Sequence, residues 1–299
     1  MIWNAGSPAL FFIDIFHFSR QTFTFPRMSL IDDVNFAAEL AESAAKIVLE
    51  HYGKVERLTK RQAEAVTEAD RMSQRHIVAA IRKRFGGDGI VGEENETGDA
   101  ITFDVANPSG RVWVIDPIDG TNNFVAGLGN FAVCIGLLDA GMPVLGVVHD
   151  VTRGLTYRAW KGGGTWLGKQ RLRALAGPMD ASSLLMLTSS LADSTGRAPP
   201  WVAKWFGRVD WKVRVLGSAA LEAAMVAAGV ACGAITINGK LWDVAAPAAL
   251  VIEAGGIVTD LSGEPIFPFS LAGYTGGKVP FLAAGPLSHM ELLKEIRLQ

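Results

Sequence analysis

An apolar run, Val112–Ile115 (VWVI), ends directly on the hexapeptide Asp116-Pro117-Ile118-Asp119-Gly120-Thr121. The run predicts a buried strand, and the apolar pattern stops where the acidic residues begin. Pro117 fixes φ and stiffens the exit. Asp116 and Asp119, three residues apart around a tight turn, can face one point. Gly120 allows close backbone approach, and the N–H groups of Gly120 and Thr121 can point outward, where a chain turn favours an anion. One hexapeptide therefore offers hard oxygen ligands for a cation and donors for a phosphate. Two carboxylates suit Mg²⁺, which binds through a few carboxylates plus water and substrate phosphate. The plainer alternative is a turn in which an Asp only caps a helix.

Three other stretches place carboxylates at the ends of apolar elements. Glu93 and Glu94 follow the short strand Ile90-Val91. Asp243 precedes VAAPAALVIEAGG, where it reads as an N-cap. Asp70 lies in VTEAD, at the start of a helix predicted over Thr67–Phe85. Each has an ordinary alternative, a solvated loop acid or a helix cap. Between them, apolar spacing predicts helices over Asp33–His51, Trp201–Phe206, Ser218–Ala228, Trp242–Ala254 and Ser288–Leu298. Strands are predicted at Phe131–Leu138, Val144–His149, Leu155–Ala159, Leu184–Thr188, Val213–Leu216, Gly233–Ile237, Ile257–Thr259 and Phe281–Ala284. Strands and helices mix without strict βα alternation, which argues for a layered α+β architecture. The 299 residues allow two units, with a boundary in the segment Ala176–Ser182.

Charge and cysteine usage narrow the function. A formal charge of −2 leaves no basic excess for a nucleic-acid backbone. Cys134 and Cys232 both sit in apolar runs and read as buried thiols in a reducing compartment. Residues 1–27 differ from the rest, with six of the fifteen Phe. They read as an N-terminal extension the fold does not need. Asp14 interrupts the apolar run and no Lys or Arg precedes Arg20, which argues against a signal peptide. Leu216–Ile237 carries one charge, Glu222, but is rich in Ala and Gly and reads as a buried helix followed by a strand, not a span. Lys161-Gly162-Gly163-Gly164-Thr165 lacks phosphate-loop spacing and reads as a hairpin turn. Trp201, Trp205 and Trp211 lie near Arg208, Lys212 and Arg214, and read as core or dimer packing.

Taken together, these segments resemble the inositol monophosphatase family, within the lithium-sensitive, Mg²⁺-dependent phosphatases. The first signature is WVIDPIDGTNNFVAGLGNFAVCIGLL, Trp113–Leu138, and the second LWDVAAPAALVIEAGG, Leu241–Gly256. GEE at 92–94, VTEAD at 66–70, GVVHD at 146–150 and LGSAALE at 216–222 occur in order. The resemblance implies an αβαβα sandwich of the inositol monophosphatase and fructose-1,6-bisphosphatase type. It also implies an N-terminal α+β subdomain over 28–178 with the metal and phosphate motifs. Residues 179–299 form an α/β subdomain on the substrate side.

By the same resemblance, Glu93, Asp116 and the Ile118 carbonyl hold one Mg²⁺. Asp116, Asp119 and Asp243 hold a second, and a third lies near Glu93 and Asp70. The backbone of Gly120 and Thr121 cradles the phosphate, and Gly217 and Ser218 contact the organic part of the substrate. Thr121 orients the attacking water, with Asp70 accepting its hydroxyl proton and Glu93 as the other candidate base. The implied reaction is hydrolysis of a small phosphate monoester by in-line attack of a metal-activated water. No nucleophilic Cys or His motif suggests a covalent intermediate. The sequence departs from inositol-specific members at Thr236 and Cys232, where acidic residues are common, and at Gly129-Asn130. An inositol monophosphate-like substrate is expected. Histidinol phosphate, fructose 1,6-bisphosphate and a 3'-phosphonucleotide are the alternatives, and a non-catalytic interaction protein on the same fold is the rival of another class. A homodimer in the cytoplasm, with no nucleic-acid or membrane partner, completes the expectation.

Overall fold

Strand β3 (Arg111–Asp119) is buried along its length after Arg111. Val112 and Val114 enter one core, whereas Trp113 and Ile115 enter another. A strand apolar on both faces needs cover on both sides, and the layers follow from that. In the computed structural model, which describes residues 29–54, 68–95, 101–189, 191–192 and 196–297 together with Met1, β3 lies in an eight-stranded sheet. The order is β2 (Thr102–Asp104), β1 (Gly89–Gly92), β3, β4 (Ala132–Asp139), β5 (Met142–Asp150), β6 (Leu155–Trp160), β7 (Gly164–Leu167) and β8 (Gln170–Leu172). Only β1 and β3 pair in parallel; the rest is an antiparallel meander.

Helices α1 (Leu30–His51) and α2 (Glu68–Arg84) cover the outer face. The buried stripe of α1, from Val34 through Ala37, Ala41, Ala44 and Val48, follows the helical period. The inner face carries α5 (Ala219–Ala227) and α6 (Leu241–Glu253), which also pack on a second, five-stranded sheet. That sheet runs β10 (Lys212–Arg214), β9 (Leu184–Leu187), β11 (Gly233–Thr236), β13 (Phe281–Ala284) and β12 (Ile257–Thr259). Helices α4 (Pro200–Phe206) and α7 (Pro286–Arg297) close its far face, with Trp201, Trp205 and Trp211 in the core. The result is the expected αβαβα sandwich. Cys134 and Cys232 are both buried and unpaired. Among the described residues no helix is long and apolar enough to cross a membrane.

Three local readings change. β3 does not stop at Asp116 but runs through Pro117 to Asp119, and its register against β4 shifts between Asp116 and Asp119. An irregularity in the ladder is where a strand tolerates a residue without an N–H. The edge strand β2 and the single-turn helix α3 (Thr121–Val125) had no pattern strong enough to predict them. Residues 1–27, apart from Met1, and Val66-Thr67 lie outside the described residues.

Helix α6 sits unusually close to the first sheet. A Cβ on Gly136 would lie 2.9 Å from the Ala246 nitrogen, and one on Gly146 would lie 2.1 Å from the Ala246 oxygen. Two glycines on adjacent strands therefore let backbone meet backbone. Gly146→Ala is expected to destabilise the fold by at least about 1–3 kcal/mol through overpacking. Thermal unfolding checks it, and an unchanged melting temperature would show that α6 moves away at no cost.

Candidate active site

The carboxyl end of β3, the loop after β1 and the first turn of α6 meet at one point. Asp116, Asp119 and Asp243 each bring a carboxylate oxygen to within 4.8 Å of the others. Asp116 and Asp119 are 1% and 5% exposed. Asp116 accepts the Ile118 N–H on Oδ1 at 3.0 Å, which closes the turn across Pro117. Asp243 is not the N-cap of α6. Lys240 holds that place, and Asp243 lies three residues inside the helix. Its Oδ2 accepts the Lys240 N–H at 2.6 Å, the backward half of a capping box. The helix starts earlier than its sequence suggests because Leu241 and Trp242 are themselves buried helical residues.

Glu93 joins the cluster from the loop after β1. Its N–H continues the parallel pairing to the Ile115 carbonyl at 3.2 Å. Its carboxyl shares a hydrogen bond with Asp116, and its Oε2 is buried with no partner among the described residues. Gln74 of α2 fixes this loop, a role no sequence pattern signalled. Its side chain takes the Glu94 N–H at 3.0 Å and donates to the Glu94 carbonyl, while Thr102 donates to the same carbonyl at 2.6 Å. Asp70, 1% exposed in the first turn of α2, faces the site through Thr121. The Thr121 hydroxyl lies 2.9 Å from the Ile118 carbonyl and 3.5 Å from Asp70 Oδ1. The hydroxyl therefore stands between two acceptors, the Ile118 carbonyl and the Asp70 carboxyl.

The residues expected on the substrate side lie close to this cluster. Gly120 adopts φ +93°, and a Cβ there would meet the carbonyl oxygens of Asn130 and Gly217 at 3.0 and 3.1 Å. Ser218 caps α5 and donates to Asp119 Oδ2, which also accepts the Ala220 N–H at 3.0 Å. Thr236 ends β11, buried, with its methyl toward Gly239. Cys232 packs in the outer core and donates its thiol to the Leu184 carbonyl, so it takes no part in the site.

The electrostatics follow from crowding acids in a dry place. Burial first, and then the neighbouring Glu93, Asp119 and Asp243, pushes Asp116 well above the carboxylate range. Burial and then Asp243 pushes Asp119 up to about 7. Glu93 is raised by burial and by Asp243 and Asp70. Such a set is costly when ionised and empty, and a hard divalent cation removes the cost. The donor set, all oxygen with one orphaned buried carboxylate atom, fits Mg²⁺ or a similar ion. An acid whose folded pKa is raised contributes stability that is complete below its ordinary range and is lost as pH rises through the folded value. In chelator, the protein is therefore expected to lose stability as pH rises through about 7. Asp116→Asn is expected to raise the chelator melting temperature near about pH 8 and to abolish the increment that Mg²⁺ adds. A variant still stabilised by Mg²⁺ like the parent would remove Asp116 from the cation site.

Comparison with known proteins agrees with this geometry. The family model described as the inositol monophosphatase family matches residues 31–297. The fructose-1,6-bisphosphatase/inositol-1-monophosphatase of Thermotoga maritima is 35% identical over 89% of this chain and 96% of its own. The histidinol-phosphatase of Mycobacterium tuberculosis is 33% identical over 89% of this chain and 98% of its own. A crystal structure of the extragenic suppressor protein suhB from Bartonella henselae superposes with TM-score 0.77 at 27% identity. It covers 90% of this chain and 99% of its own. A buried acidic cluster at the end of β3, the layered fold and these matches together place the chain in the inositol monophosphatase family.

Proposed function

We propose that the chain is a Mg²⁺-dependent phosphomonoesterase acting on a small phosphorylated metabolite. The observation that carries this reading is the convergence of the buried Asp116 and Asp119 with the half-buried Asp243 beside the Gly120–Thr121 turn. Two to three Mg²⁺ ions, held by Glu93, Asp116, Asp119, Asp243, Asp70 and the Ile118 carbonyl, would neutralise the phosphoryl group and acidify water. The backbone N–H groups of Gly120 and Thr121 orient the phosphate, since they open a helix turn and Gly120 carries no side chain to obstruct it. The Thr121 hydroxyl, within reach of Asp70 and of the Ile118 carbonyl, gives its proton to Asp70, and its lone pairs accept a hydrogen bond from the attacking water. Asp70 and Glu93, both acids beside that point, are the groups that take the proton water loses. Gly217 and Ser218 meet the organic moiety.

Thr236 bears on substrate choice. A neutral side chain stands where hydroxyl-binding members carry an acid, which weakens recognition of a polyol and favours no single ester. An inositol monophosphate-like compound remains the first candidate, with histidinol phosphate, fructose 1,6-bisphosphate and a 3'-phosphonucleotide beside it. The same reading carries inhibition by Li⁺, a homodimer, a cytoplasmic location and a subdomain boundary near residue 178. The supports are buried free thiols, exposed apolar residues such as Val209 and Met290, and the gap between β8, ending at Leu172, and β9, starting at Leu184.

Phosphate release from these four esters, with Mg²⁺, with chelator and with added Li⁺, tests the reading. Release from at least one, dependent on Mg²⁺, is expected. Asp243→Asn is expected to lower kcat/KM by about 10²-fold or more with the fold intact. No release from any ester, or full turnover by Asp243→Asn, would overturn it.

A further inference from the structure

The segment Leu216–Ser218 reaches the site from the second half of the chain, and two side chains outside the reaction chemistry hold it. Asn123 of α3 donates from Nδ2 to the carbonyl oxygens of Asn130 at 2.8 Å and Leu216 at 2.7 Å. Glu222 of α5 accepts on Oε1 the N–H groups of Leu216 at 2.8 Å and Gly217 at 3.1 Å. Leu216 is thus held at both its carbonyl and its N–H, from two different helices. Glu222 is 1% exposed, so water does not compete for these bonds.

The segment has no slack. Gly217 adopts φ +80°, and a Cβ on it would lie 2.9 Å from Asn123 Nδ2. Its carbonyl backs onto Gly120, where a Cβ would be 3.1 Å from it. One residue on, Ser218 donates to Asp119. Moving Leu216 therefore moves the residues facing the organic moiety relative to the turn facing the phosphate.

We infer that Asn123 and Glu222 are positioning residues. They clamp Leu216–Gly217 against Gly120 and so set the register between the phosphate-holding turn and the residues that contact the rest of the substrate. The inference rests on the phosphomonoesterase reading for its kinetic consequence, not for the clamp itself. Neither residue touches a reacting atom. Glu222 acts through the acceptor geometry of Oε1, which a Gln carbonyl supplies. Oε2 is buried with no partner among the described residues, so the Gln amide is expected to lower the melting temperature while keeping both bonds. Asn123 acts as a donor to two carbonyls, which an Asp cannot be when ionised.

The test measures kcat and KM with whichever ester the enzyme turns over, inhibition by inorganic phosphate, and hydrogen exchange of the peptide containing 216–218. It uses the full chain and the variants Glu222→Ala, Glu222→Gln, Asn123→Ala and Asn123→Asp. Glu222→Ala, Asn123→Ala and Asn123→Asp are expected to raise KM about tenfold with kcat within about threefold. Inhibition by inorganic phosphate, which lacks the organic part, is expected to stay within about twofold. Glu222→Gln is expected to behave as the parent in both kinetics and exchange. Exchange at 216–218 is expected to quicken in the two Ala variants. Combining Glu222→Ala with Asn123→Ala is expected to raise KM by less than the product of the single effects, because both act on one segment.

Glu222→Gln as impaired as Glu222→Ala would overturn the inference, since the carboxyl would then act by charge or proton. A loss confined to kcat, or losses that merely follow the fall in melting temperature, would overturn it too. A parent that releases no phosphate refutes the phosphomonoesterase reading alone. The exchange arm still decides the clamp, and unchanged exchange in both Ala variants refutes it.

Discussion

The close seat of α6 on the first sheet is the contact on which the site depends. Asp243 arrives from a helix more than 120 positions beyond Asp119, and a displacement of one or two ångströms would take it out of ligand range. Gly136 and Gly146 remove the side chains that would hold the helix off, so the backbone of Ala246 rests directly on β4 and β5. The abundant alanines of α6 serve the same end, since small side chains on both faces let one helix layer touch two sheets. Pro247 adds a local consequence. It removes the N–H that would have bonded the Asp243 carbonyl four residues back.

Bringing acids together this way opposes folding unless something compensates. The compensation within the chain is partial and directional. Ser218 and Ala220 donate to Asp119, Ile118 donates to Asp116, and Lys240 donates to Asp243. These bonds orient the carboxylates, yet they leave Glu93 Oε2 buried without a partner among the described residues and Asp116 and Glu93 sharing a hydrogen bond. No Lys or Arg bonds to Asp116, Asp119 or Glu93 among the described contacts. An acid cluster with these neutral donors could hold a cation from outside.

Much of this was legible in the sequence because the decisive signals are local. VWVI is apolar on both faces, and the layers follow from it. Asp116, Asp119 and Gly120 stand within five positions, so their convergence needs only one turn. What stayed hidden depends on distant pairs. Gln74 has no motif, and its hold on Glu94 appears only when α2 crosses β1. Asn123 meets Leu216 across 93 positions. The run of β3 through Pro117 was unreadable because a proline ordinarily ends a strand, and the register shift that accommodates it lies in the pairing with β4. Asp243 was displaced by three positions because Asp is a preferred cap and Lys is not. The buried Leu241 and Trp242 outweighed that local preference.

The chain divides its chemistry along this line between local and distant. The acid cluster and the Gly120–Thr121 turn sit at the end of one strand and on its neighbours, where change is costly because Asp116 and Asp119 are buried and mutually oriented. On the proposed reading, the groups toward the organic moiety sit on Leu216–Ser218, held by hydrogen bonds from Asn123 and Glu222, and on Thr236 at the end of β11. The two regions still touch, because Ser218 donates to Asp119 and the Gly217 carbonyl backs onto Gly120. Two relatives, each about a third identical to this chain, carry different substrate names, so a shared family does not by itself fix the ester. On the proposed reading, the choice of ester turns on the position of one short segment relative to Gly120, and the acid cluster is common to every candidate.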